Sequence, residues 1–104
     1  MRVTIKDADV LRNITPDELR KYILKIGFER LGGDTEMYSA YSEKFHKHFN
    51  IVIPEVVDAM YPLIMAENLM YLEQYLDESQ LYIYCNIKRQ NLVFYHDDAD
   101  VSEI

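Results

Sequence analysis

Apolar residues recur at Leu19, Tyr22, Ile23 and Ile26, the i, i+3, i+4, i+7 spacing of one buried helical stripe. Thr15-Pro16-Asp17-Glu18 stands just ahead of it. Threonine can cap, proline suits the first helical position, and glutamate three residues on can close a capping box. A helix is therefore expected to start at Thr15 and to stop at Gly27, which supplies a left-handed residue. Arg20, Lys21 and Lys25 are left on its solvent side, the last near the negative end of its dipole. Upstream, Val3-Thr4-Ile5 predicts a short strand, and Asp7 to Leu11 a turn or short helix.

Beyond Gly27 the pattern turns strand-like. Phe28 to Leu31, Met37 to Tyr41 and Phe49 to Ile53 are the strand candidates, parted by Gly32-Gly33-Asp34 and Ser42-Glu43-Lys44, with Pro54 ending the third. A second helix is expected from Asp58 as its cap to about Leu76, with Pro62 in the first turn. Met65, Leu69, Leu72 and Leu76 make one stripe, yet Leu63, Ile64, Met70, Tyr71 and Tyr75 spread apolar character around the circumference. Such a helix is either central to the monomer or meets a second chain. A domain of 104 residues has few layers to offer, which favours a homodimer interface at Met70, Tyr71 and Tyr75. Further on, Leu81, Ile83, Cys85 and Ile87 alternate with Tyr82, Tyr84 and Asn86, and Lys88-Arg89-Gln90-Asn91 leads into Leu92-Val93-Phe94-Tyr95. This predicts a C-terminal hairpin. The expected fold is a single α+β domain over residues 1–96, with two main helices on one face of a mainly antiparallel sheet, in the order β-α-β-β-β-α-β-β. A short acidic tail, 97–104, would follow.

Composition adds the setting. With 49% hydrophobic and 28% charged residues the chain is expected to be globular. The single cysteine, Cys85, can form no internal bridge, so a reducing, cytoplasmic compartment is expected, with the thiol an inert core group between isoleucines. No apolar stretch is long enough to span a membrane, and the start lacks the apolar core of a secretory signal. The net charge of −7 is unequally shared. Residues 1–53 carry nine bases and eight acids, whereas 54–104 carry two bases and ten acids. A nucleic-acid partner is therefore not expected, and a basic protein partner is the natural complement.

Catalytic chemistry has few candidates. Phosphate loops, dinucleotide fingerprints, the G-x-S-x-G elbow and H-E-x-x-H are all missing, so neither cofactor nor metal is expected. His46-Lys47-His48 sets two imidazoles on one face of an extended segment, which alone is not a site. His96 could join them only if the C-terminal hairpin folds beside that strand.

Two resemblances are carried by these motifs. From Thr15 to Pro54, the helix, the Gly27-Phe28 junction and the strand ending Ile51-Val52-Ile53-Pro54 resemble the first two thirds of HicA-type toxins. The resemblance implies the α-β-β-β-α layout of double-stranded-RNA-binding domains. That family's catalytic histidine follows a Gly-Ser pair, whereas here the stretch reads Gly33-Asp34-Thr35-Glu36-Met37-Tyr38. The likeness thus supports the fold and speaks against the activity. Leu11 to Leu19, Tyr22-Ile23, Gly27-Phe28, Ile53-Pro54, Met65-Ala66-Glu67 and Ser79-Gln80-Leu81 look like a group of uncharacterised small prokaryotic proteins, which implies a bacterial or phage setting.

The function expected from surface chemistry is a non-enzymatic protein-binding module, of inhibitor, immunity or antitoxin-like character. Tyr82 and Tyr84, on the polar side of the expected strand, and Asp97, Asp98 and Asp100 would bind the partner. The alternative is a HicA-like RNA-binding or ribonuclease domain using His46 or His48 with Arg20, Lys21 and Lys25.

Overall fold

The Asp7 carboxylate accepts the N–H groups of Asp9 at 2.8 Å and Val10 at 3.4 Å, which caps a first short helix, α1 (Ala8–Arg12). The computed structural model describes residues 3–90. In the next helix, α2 (Pro16–Lys25), both arms of the capping box form: Glu18 N–H donates to Thr15 Oγ1 at 3.2 Å, and Thr15 N–H to Glu18 Oε1 at 3.0 Å. Gly27 follows with φ of 107°, and Phe28 N–H returns to the Ile23 carbonyl.

Three antiparallel strands come next, β1 (Glu29–Arg30), β2 (Met37–Ser42) and β3 (Lys47–Val52), in the spatial order β1-β2-β3. Ser39 pairs with Glu29 on one side and with Asn50 on the other. The period-two alternation gives the sheet two distinct faces. Tyr38, Ala40, Phe49 and Ile51 point into the core, whereas Ser39, Tyr41, His48 and Asn50 stay on the open side.

Helix α3 (Tyr61–Leu76) packs beside β3 and α1. It ends at Asp77, whose φ of 55° is left-handed, with the Asp77 and Glu78 N–H groups closing on the Glu73 carbonyl. The Asn68 amide binds the outward N–H of Val52 at 3.2 Å and its C=O at 2.8 Å, tying the helix to the sheet edge. Replacing it by alanine would leave both backbone groups unpaired. Asn68→Ala is therefore expected to cost about 1–2 kcal/mol and to speed exchange of the Val52 amide. Urea unfolding and hydrogen exchange measure both, and unchanged values would mean that the clamp contributes nothing.

The order observed among the described residues is α-α-β-β-β-α-α, so both ends of the expected order change. The last described element is a helix, α4, over 80–90 and not a strand. Ser79 caps it, its Oγ accepting Tyr82 N–H at 3.2 Å and its carbonyl accepting Ile83 N–H at 3.1 Å. Ile83 and Ile87, one turn apart, enter the core. The expected second hairpin strand, 92–95, and the tail boundary at 97 lie outside the described residues. At the other end, Val3-Thr4-Ile5 forms no strand. Its anchor is a side chain: Ile5 N–H donates to Oε1 of the buried Gln80 at 3.0 Å, while Gln80 Nε2 donates to Glu73 at 2.9 Å.

One hydrophobic core joins all of this, from Ile5, Leu11 and Ile14 through Ile23, Phe28 and Ile51 to Leu69, Leu72, Ile83 and Ile87. The Tyr61 hydroxyl donates to the Ile14 carbonyl inside it, and burial pushes that phenol up to about 12. Lys88 closes the bundle from α4, reaching both carboxylate oxygens of Glu18 and the Asn13 carbonyl, each at 2.9 Å.

Candidate functional site

From His48 to Ile87 the chain contains no lysine or arginine, and it carries Glu55, Asp58, Glu67, Glu73, Asp77 and Glu78. This span makes most of β3, all of α3 and most of α4. Two of its acids are engaged within the fold, Glu73 by Gln80 and Asp77 by Lys44 at 3.5 Å. Glu55, Asp58 and Glu67 are exposed.

The segment entering α3 is apolar as well as acidic. Asp58 shapes it, accepting Met60 N–H on its carboxylate at 2.9 Å and Tyr61 N–H on its carbonyl at 3.1 Å. Tyr61, Pro62 and Met65 turn into the core, and Val56, Val57, Met60 and Leu63 are left outside, between 55% and 62% exposed. An apolar group of this kind with an acidic surround has the composition of a protein-docking surface.

The three residues expected at a dimer interface separate. Met70 is exposed, but Tyr75 sets its ring edge-on to Phe28 at 5.0 Å and to Phe49 at 5.8 Å, and Tyr71 lies 6.5 Å from Phe49. The wide apolar girth of α3 thus comes largely from being covered by the sheet on one side and by α1 on another. Tyr82 and Tyr84 also separate, because two residues on a helix lie about 200° apart and do not share a face. Tyr82 is exposed, whereas Tyr84 packs against the core and accepts the Asn13 amide on its hydroxyl at 2.8 Å. Cys85, expected inside, is exposed on α4. His96, Asp97, Asp98 and Asp100 lie outside the described residues.

The two histidines fall in different elements. His46 closes the β2–β3 turn with φ of 53°, and only His48 stands in the strand, on the open face. There it meets the Tyr41 ring at 5.1 Å and the Ser39 hydroxyl at 3.4 Å. Among the described residues no group of three or more His, Cys, Asp or Glu side chains is placed to hold a metal ion.

The basic face of α2 is partly used up. Arg20 donates from Nε and, at 2.8 Å, from its terminal nitrogen to Glu36, and it also pairs with Asp17. Tyr38 adds a hydroxyl donor to Glu36 at 2.8 Å. The guanidinium and the phenol together hold the Glu36 carboxyl down at about 2, and the Glu36 and Asp17 carboxylates in turn raise Arg20. Burial raises Tyr38. This network fastens the β1–β2 loop to α2. Lys21 and Lys25 remain exposed.

Sequence reasoning passed over Val56, Val57 and Met60 and gave Glu67 no role, whereas Leu63 was already counted in the apolar girth of the second helix. The missed signal was the long base-free span, together with a Val-Val pair lying just outside a helix start. No described helix is long and apolar enough to cross a membrane. Comparisons of the chain with family models, with curated proteins and with solved structures find no match.

Proposed function

We propose that this protein is a non-enzymatic binding module whose acidic half takes a basic protein partner, in an inhibitor, immunity or antitoxin-like role. One observation carries the proposal: the base-free span 48–87 presents Val56, Val57, Met60 and Leu63 to solvent beside Glu55, Asp58 and Glu67. Apolar side chains supply contact area, and exposed acids steer a positively charged partner and penalise an acidic one. The exposed thiol of Cys85 is in keeping with the reducing cytoplasm of a bacterial or phage-infected cell.

A homodimer is the weaker form of this proposal. Of its three expected residues only Met70 is exposed, and a second copy would set acid against acid. The RNA-directed alternative draws support from the succession α2, β1, β2, β3, α3, which is the layout implied by the HicA resemblance. Its chemistry has less to work with, since only His48 stands in a strand while His46 lies in the turn, and Arg20 is engaged by Glu36 and Asp17.

The test is reconstitution. A partner captured from the native cell should be basic, should rebind as a purified protein, and should associate more slowly as salt rises. Neutralising Asp97, Asp98 and Asp100 to asparagine should slow association further and leave dissociation little changed. A purified partner with salt-independent association would contradict the electrostatic part. RNA cleavage that vanishes in a His46→Ala, His48→Ala variant would replace the proposal with the enzymatic one.

A further inference from the structure

Met60, Leu63, Glu67, Met70 and Gln74 succeed one another at spacings of three and four residues, and all five are exposed. That spacing puts them on one face of α3, as a seam about 21 Å long at the usual helical rise. The opposite face of the helix is spoken for by Met65, Leu69 and Leu72 in the core, and Tyr71 and Tyr75, between that face and the seam, lie against the sheet. Knobs from a facing helix fit a seam with this periodicity.

The seam's centre decides the occupant. Glu67 sits midway, with no ion-pair partner among the described residues, and Glu55 and Asp58 lie at the Met60 end. If a second copy packed here in register, parallel or antiparallel about the middle, Glu67 would face Glu67. Like charges opposed at a closing interface are destabilising. A helix bearing lysine or arginine opposite Glu67, with leucine-like residues to either side, would instead satisfy both the charge and the apolar ends.

We infer that this seam is the docking surface for an amphipathic basic helix of a partner protein. The inference rests on the binding-module proposal and narrows it to one face. Met60 and Met70 suit such a role, since methionine repacks easily against different apolar partners.

A labelled amphipathic peptide of leucine and lysine, with lysine at the centre of its apolar stripe, is the probe, and the same peptide with glutamate at that centre is the control. The full-length protein is expected to bind the lysine peptide about tenfold more tightly than the glutamate peptide, with amide shifts concentrated over residues 55–74. Glu67→Lys should invert the preference, and Leu63→Lys with Met70→Lys should weaken both peptides about tenfold or more. These side chains are exposed, so the melting temperature of each variant should stay near that of the wild type. Equal affinity for the two peptides, or a preference that Glu67→Lys does not invert, would overturn the inference. Lysine-peptide shifts confined to α4 would overturn it while leaving the binding-module proposal standing. A wild-type dimer in sedimentation, dissociated by Leu63→Lys, would assign the seam to a second copy.

Discussion

Truncating Ile83 to alanine is expected to destabilise the protein by about 2–5 kcal/mol, whereas Leu81→Ala should cost under about 1 kcal/mol. Both are aliphatic, they stand two residues apart, and a strand would have buried them together. In α4 Ile83 is 0% exposed and Leu81 is 55% exposed. Ile87→Ala should behave like Ile83→Ala, and Cys85→Ala like Leu81→Ala. Urea midpoints at unchanged m-value provide the measurement. Comparable losses at positions 81, 83, 85 and 87 would restore the hairpin.

Acid should unfold the protein partly through Glu36. Its carboxyl titrates at about 2 in the folded chain, against 4.5 for the free side chain. A carboxyl depressed by folding adds stability that is complete above its unfolded value and fades as pH falls towards the folded one. The loss should therefore fall between about pH 5 and pH 2. Glu36 is 19% and Arg20 32% exposed, so solvent screening trims the full linkage value to about 2–3 kcal/mol. Glu36→Gln should lower neutral-pH stability by that amount and flatten the acid limb of a stability-against-pH curve. A variant whose acid limb matches the wild type would mean that Glu36 titrates normally.

The two halves of the fold differ in how far local signals determine them. At α2 the capping box, the proline, the apolar stripe and Gly27 all point the same way, and the helix forms where they agree. The three central strands likewise form where they are expected, within a residue or two at the ends, and β2 and β3 alternate between core and open face. At 81–87 the pattern is degenerate. Ile83 and Ile87 are four apart, which is two strand repeats and close to one helical turn. Only the fates of Leu81 and Cys85 separate the alternatives, and those depend on what packs nearby. Ser79 was the local clue, a cap residue two positions before the apolar run. Val3-Thr4-Ile5 failed for a related reason: a strand needs a ladder, and here the Ile5 amide is satisfied by a glutamine 75 residues away. Within α3, periodicity exposed its broad apolar girth, but the inward choice of Tyr71 and Tyr75 required knowing where Phe28 and Phe49 sit.

The Asn68 clamp also limits how this protein can meet another. An antiparallel strand turns alternate residues outward, and the Ile53 to Glu36 hydrogen bond fixes His48, Asn50 and Val52 as the outward set of β3. With the Val52 groups occupied by Asn68, an incoming strand would find a free run of only His48 and Asn50 there. The far edge of the sheet belongs to β1, which is two residues long. Neither border offers a template on which a foreign strand could zip up, so edge-to-edge polymerisation is discouraged. Under the binding-module proposal, recognition would fall to side chains on the helices, where a single charge reversal should change the choice of partner.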